Sequence, residues 1–121
     1  MLINQNFSIP ADDDAFVSFT VDESVKDITT LLGSTIWWNV YLMQYACPVP
    51  GQLAVIAKTT PLDVQIPESP ALTFYVQIFR ADTVNLLRNY YHEARVLNQQ
   101  QQLVTVTVGV MTVLPSEGRP V

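Results

Sequence analysis

The period-two alternation that fills the last third of this chain constrains its fold more than any other feature. Phe74, Val76 and Ile78 fall on one side of an extended run, the pattern breaks at Ala81-Asp82-Thr83, and it restarts with Tyr90, His92, Ala94 and Val96 on one side. A polar loop, Asn98 to Gln102, then leads into Leu103 to Leu114, rich in Val and Thr. Successive side chains of a strand point to opposite faces, so this is the pattern of strand, short crossing turn, strand, loop, strand. Three consecutive strands between Phe74 and Val113 frame the domain, and the rest of the chain must pack on them.

The upstream chain supplies the partners. Leu2 to Ile9 reads as a short strand closed by Pro10, which has no N–H for a ladder, and Ala11 to Asp14 reads as a turn. In Ala15 to Val21, Val17, Phe19 and Val21 face inward and Phe16 faces out. Residues 22–33 lose the alternation and predict a loop with at most one helical turn, ended by Gly33, which lets the backbone turn. Thr35 to Gln44 is the strongest single strand, with Ile36, Trp38, Val40 and Leu42 on one face and Trp37, Asn39, Tyr41 and Met43 on the other. Both of its faces are largely apolar. A strand in a two-layer sandwich needs only one, so the second face is expected to be buried by a neighbouring subunit or, alternatively, by a loop of the same chain. Leu53 to Lys58 and Leu62 to Ile66 predict two short strands bounded by Pro61 and Pro67, with turns at Cys47 to Gly51 and Pro67 to Pro70.

Seven or eight strands punctuated by turn residues, with no long helix, predict an all-β, antiparallel β-sandwich over residues 1–114, followed by a polar C-terminal tail or arm over 115–121. A chain of 121 residues is one domain. Only 14% of its residues are charged, against about 25% in a typical soluble domain. A surface so short of charge calls for cover, and no apolar run reaches the roughly 18 residues of a membrane span, so a partner protein rather than a membrane is expected. The six basic residues are scattered and the net charge is −5, which leaves no basic stripe for nucleic acid. Cys47 is alone and cannot form an internal disulfide, which points to synthesis in a reducing cytoplasm. The first residues lack the basic and apolar regions of a signal peptide.

Several segments together resemble a known group. Asp27-Ile-Thr29, Gly33-Ser-Thr-Ile-Trp-Trp-Asn-Val40, Val76-Gln-Ile78 running into Ala81-Asp-Thr83, Asn89-Tyr90, Glu93-Ala-Arg-Val96 and Thr105 to Ser116 with Gly109 are similar to small tailed-phage and prophage virion structural proteins. These carry an immunoglobulin-like β-sandwich, as in the N-terminal domain of phage baseplate upper proteins. The resemblance spans roughly Ile3 to Ser116. It implies an immunoglobulin-like fold with Ile36, Trp38, Val40, Phe74, Val76, Ile78, Tyr90, His92, Ala94 and Val96 inward, in agreement with the alternation. The chain departs from the family pattern at Leu87-Arg88-Asn89, where Pro-Gly-Arg often precedes the tyrosine, and at Asn98 to Gln101, where Asp-Gly is expected.

No residue set predicts catalysis. The single histidine, His92, points inward and reads as a core or rim imidazole bonded to a neighbour, and Glu93 beside it faces the other way. A small cofactor-free enzyme requires His92 to be exposed beside a carboxylate. Asp12 to Asp14 invite a calcium reading but lack the alternating spacing and distal Glu of a calcium loop, and solvated turn aspartates fit better. No metal or cofactor is expected. Asp82 is expected to accept backbone N–H bonds in its turn, and Tyr90 to hydrogen-bond back across the corner of the sandwich as a structural tyrosine.

The functional expectation is the outer face. If the strands at 35–44 and 89–97 are neighbours, Trp37, Asn39, Tyr41, Tyr91, Glu93 and Arg95 emerge together, and exposed Trp and Tyr are the residues enriched at interface hot spots. With the resemblance, this predicts a non-enzymatic virion structural protein, made in the host cytoplasm and present in several copies. It docks onto other capsid, tail or baseplate subunits as a decoration or connector module. The alternative is a carbohydrate-binding sandwich that stacks host sugars on Trp37 and Tyr41.

Overall fold

The computed structural model describes residues 3–11, 13–21, 31–42, 54–67, 72–84, 86, 88–98 and 101–114. Asp12, most of the 22–33 loop, Met43 and Gln44, the Cys47 turn, the Ser69-Pro70 turn, Leu87 and the tail lie outside these residues. Within them the chain is an all-β sandwich. The strands are β1 (Ile3–Asn4), β2 (Phe7–Pro10), β3 (Ala15–Thr20), β4 (Thr35–Leu42), β5 (Ile56–Thr59), β6 (Val64–Gln65), β7 (Thr73–Ile78), β8 (Arg88–Leu97) and β9 (Leu103–Leu114), with one helical turn, α1 (Arg80–Thr83), between β7 and β8.

One sheet runs β1-β9-β8-β4-β5, with β2 also on β9; the other runs β3-β7-β6. β1 and β2 pair in parallel with the same edge of β9 and act as one edge strand interrupted at Gln5 and Asn6. The remaining ladders are antiparallel. The crossing turn expected at Ala81-Asp82-Thr83 is α1, which carries the chain from the smaller sheet to the larger.

The alternation sets the core. Ile36, Trp38, Val40, Phe74, Val76, Ile78, Ala94 and Val96 are fully buried, and Phe19 of β3 meets Trp38 of β4 across the gap between the sheets at 6.0 Å. Phe16 is 64% exposed on the outside, as its parity requires. The end of β4 departs from the alternation: Leu42 is exposed and Tyr41 is buried. The β4–β5 ladder ends at Val40, and Leu42, still paired with Tyr90 of β8, is exposed, while the Tyr41 ring packs beside Tyr91 with centroids 6.4 Å apart. The strand expected at Leu62 to Ile66 shrinks to β6, because Asp63 N donates to Thr59 O (3.1 Å) and holds 59–63 as a turn.

Among the described residues, three positions carry positive φ. Gly33, at 80°, turns the chain into β4 beside the Ser34 N to Leu31 O bond (3.1 Å). Gln101, at 66°, closes the β8–β9 loop, where Gln102 N donates to Asn98 Oδ1 (2.9 Å) and Gln101 N to Asn98 O (3.0 Å). Arg88, at 100°, opens β8 in a conformation that suits glycine and strains a residue with a Cβ. Arg88→Gly is therefore expected to raise stability by about 1 kcal/mol, relief of strain outweighing the entropy glycine adds to the unfolded chain. Urea unfolding of the two proteins measures the difference.

Candidate docking face and its buried support

The β4–β8 ladder assembles the six expected face residues as three cross-strand pairs: Trp37 opposite Arg95, Asn39 opposite Glu93, and Tyr41 opposite Tyr91. The Tyr91 hydroxyl donates to Glu93 Oε2 at 3.2 Å. β9 extends the face with two residues that sequence reasoning did not single out, Val108 opposite Glu93 and Val110 opposite Tyr91. Their alternation with Gly109 and Met111 was the available signal. Arg95 is exposed, and Trp37, Asn39, Tyr91, Glu93, Val108 and Val110 are half-buried. Tyr41, expected to project, is buried within the chain. The face is thus an apolar strip of Trp37, Tyr91, Val108 and Val110 with one acid and one base set into it.

Behind it lies a buried polar chain. Trp38 Nε1 donates to His92 Nδ1 at 3.1 Å, and His92 Nε2 lies 2.7 Å from Gln5 O. An indole nitrogen only donates, so Nδ1 must be the acceptor and Nε2 carries the proton given to Gln5. His92 is fully buried, with the rings of Phe7 and Phe19 each 5.2 Å from it. Loss of solvation by burial lowers its pKa from 6.5 to about 4, outweighing the Gln5 carbonyl, which favours the cation. A folded value below the unfolded one means that neutral His92 contributes fully above about pH 6.5, and that this contribution is lost as pH falls from 6.5 toward 4. Both ring nitrogens are engaged and no carboxylate adjoins the ring among its described contacts, so this imidazole offers no lone pair to a substrate.

Gly109 makes this arrangement possible. A Cβ there would stand 2.5 Å from Gln5 O and 2.8 Å from His92 Nε2, so the strand passes closely only because the side chain is missing. An isolated glycine inside a Val/Thr strand is the sequence mark of such an approach. Gln5 also ties the two sheets together: its amide donates to Thr20 O (2.9 Å) and Thr107 Oγ1 (3.2 Å) and accepts from Thr20 N (3.1 Å). Asn6 Oδ1 accepts from Val110 N at 2.9 Å, taking the place of a ladder carbonyl where β1 gives way to β2.

Asp82 and Tyr90, the expected corner residues, occupy different settings. Asp82 Oδ2 accepts from Phe79 N (2.7 Å) and from Lys58 Nζ (2.6 Å), and Lys58 Nζ also lies 4.8 Å from the Phe79 ring centroid. Lys58 shares the parity of inward Ile56 and is itself buried, so the pair joins the edge of the larger sheet to α1. An inward charge on an edge strand also discourages pairing with another chain. Tyr90 is buried in the ladder between Leu42 and Met111. Asp14 Oδ1 accepts from Arg80 N at 2.8 Å, which gives this aspartate a structural use. Among the described residues no group of three or more His, Cys, Asp or Glu could hold a metal ion, and no helix is long and apolar enough to cross a membrane. No protein-family model and no curated protein sequence matches the chain.

Substitutions at Gly109 and at the Asp82–Lys58 pair test this support. Gly109→Ala is expected to cost about 2–3 kcal/mol, since backbone and a buried ring must move, and to weaken protection of the Gln5 amide in hydrogen exchange. Asp82→Ala is expected to cost about 2–3 kcal/mol by leaving the Lys58 ammonium buried and unpaired. Asp82→Asn, which keeps an acceptor for Phe79 N, costs less, and adding Lys58→Met to Asp82→Ala recovers most of the loss; chemical denaturation ranks the variants.

Proposed function

We propose that the chain is a non-enzymatic structural protein of a tailed-phage particle, an immunoglobulin-like module that docks by the outer face of its larger sheet onto neighbouring virion subunits. The observation that carries this reading is the strip itself: Trp37, Tyr91, Val108 and Val110 gathered on three adjacent strands around Asn39, Glu93 and Arg95, in a chain of which only 14% of the residues are charged. Aromatic and apolar side chains gathered on one sheet face, with only a few polar groups among them, are the composition of an interface.

The strand order supports the immunoglobulin-like part of the reading. β3-β7-β6 opposite β9-β8-β4-β5 matches strands B-E-D opposite G-F-C and an added C′, with the first strand carried by β9 rather than by β3. The two places where the chain departs from the resembled phage pattern, at Arg88 and before Gln102, both have positive φ, the backbone that a glycine in that pattern would serve.

The sugar-binding alternative needs open aromatic ring faces, and the burial of Tyr41 leaves Trp37 without its proposed stacking partner. Purified particles provide the test. The chain is expected in their protein complement, and Trp37→Ala and Tyr91→Ala are each expected to lower its incorporation at least tenfold, about the effect of removing an interface hot spot, while the purified variants keep their β-sheet circular dichroism. Unchanged incorporation would refute this use of the face, and loss of binding to host polysaccharide instead would favour the sugar reading.

A further inference from the structure

We infer that the N-terminal edge strand, β1 with β2, is an acid-released element latched by the His92 imidazole, and that its release uncovers the outer edge of β9. This inference rests on the interior and stands apart from the docking reading.

The geometry leaves a proton no good place on this ring. The free lone pair of His92 is at Nδ1, and Trp38 Nε1–H already points at it from 3.1 Å, so protonation sets two donors against each other. Among the described residues, the groups seen against the ring include Trp38 from β4, Phe7 from β2, Phe19 from β3, Gly109 from β9 and the Gln5 carbonyl. None of these is a charged or titratable side chain that could neutralise an imidazolium. The Gln5 carbonyl favours the cation, but the loss of solvation is larger. A protonated ring is therefore driven toward water, and one of its neighbours must move.

The neighbours differ in how firmly they are held. Trp38 lies inside the larger sheet, with β5 on one side and β8 on the other. Phe19 lies on β3, which pairs with β7 from Ala15 to Thr20. Phe7 and Gln5 belong to an edge strand interrupted in the middle, with two paired positions in β1 and four in β2. Short, interrupted edge segments open at lower free energy than paired central strands. Lifting residues 3–10 away hydrates His92 and breaks a defined set of contacts: Gln5 N to Val108 O, Ala11 N to Leu114 O, Val110 N to Asn6 Oδ1 and Thr20 N to Gln5 Oε1. It also leaves one side of β9 unpaired.

Hydrogen exchange followed by NMR between pH 7 and 4.5 tests this. The amides of Gln5, Ala11, Thr20 and Val110, corrected for intrinsic exchange, are expected to open roughly tenfold more readily per pH unit below about 6.5, reaching on the order of a hundredfold by pH 4.5. The amides of β4 and β8 are expected to stay protected. In His92→Gln, whose side chain can accept from Trp38 and donate to Gln5, this acceleration should vanish. In the wild-type protein alone, the released state should show a protonated His92 in its ring resonances and the closed state a neutral one. Acceleration spread equally over all strands, acceleration that persists in His92→Gln, or a protonated His92 with the edge strand still protected would each overturn the proposal.

Discussion

The hydrogen-bond chain from Trp38 through His92 to the Gln5 carbonyl is the constraint on which the rest of this structure depends. It runs through the apolar interior from the middle of the larger sheet to the strand that completes its edge. A buried polar group left without a partner costs roughly 1–3 kcal/mol, so each member of the chain holds the others in place. His92 in its Nε2–H form is the only arrangement that satisfies an indole donor on one side and a carbonyl acceptor on the other. Gly109 provides the room, and the Phe7 and Phe19 rings close the site against water. Among the described residues no buried side-chain nitrogen or oxygen lacks a partner, and in a core this apolar that completeness selects one register for β1 and β2 over its neighbours.

The same register fixes the outside. Because side chains alternate, the ladder that turns Trp38, His92 and Ala94 inward turns Trp37, Tyr91, Glu93 and Arg95 outward. A slip of one residue in β8 would turn Tyr91, Glu93 and Arg95 into the core and the histidine into solvent. The register shift between Ala94 and Arg95 lets both Val106 and Thr107 of β9 be buried, which tightens the far end of the sandwich without disturbing the pairs at Tyr91 and Glu93. Lys58 with Asp82 does comparable work at the opposite edge, where β5 pairs with β4 at four positions. Core and face are thus two readings of one alternation, joined by a few polar contacts at the sheet edges.

Much of this was legible in the sequence, for a definite reason. Period-two alternation is a local signal, and it placed Phe74, Val76, Ile78, Tyr90, His92, Ala94 and Val96 inside without knowledge of their neighbours. It also predicted the face residues, conditional on one pairing that the β4–β8 ladder supplies. What it did not reveal were interactions that join residues far apart in the chain. The His92 contact to Gln5 spans 87 positions and the Asn6 contact to Val110 spans 104, and no local pattern announces either. Nor did it show that β1 and β2 would join β9 in parallel, since an edge strand reads alike in both directions. At the end of β4, beyond the last β5 pair, alternation itself failed: Leu42 is exposed and Tyr41 is the better covered of the two. Lys58 and Gly109 carried signals that the sequence reading did not use, the shared parity of Lys58 with Ile56 and a glycine alone in a Val/Thr strand, and only the fold shows what each one meets.

The most direct measurement of the central contact is the nitrogen NMR spectrum of the His92 ring at pH 7, read with the exchange rate of the Trp38 indole proton. A neutral ring protonated at Nε2, with the indole proton protected and coupled to an unprotonated Nδ1, is the predicted result. A ring protonated at Nδ1, or an imidazolium at that pH, would contradict the account, because neither can accept the Trp38 hydrogen bond around which this interior is arranged.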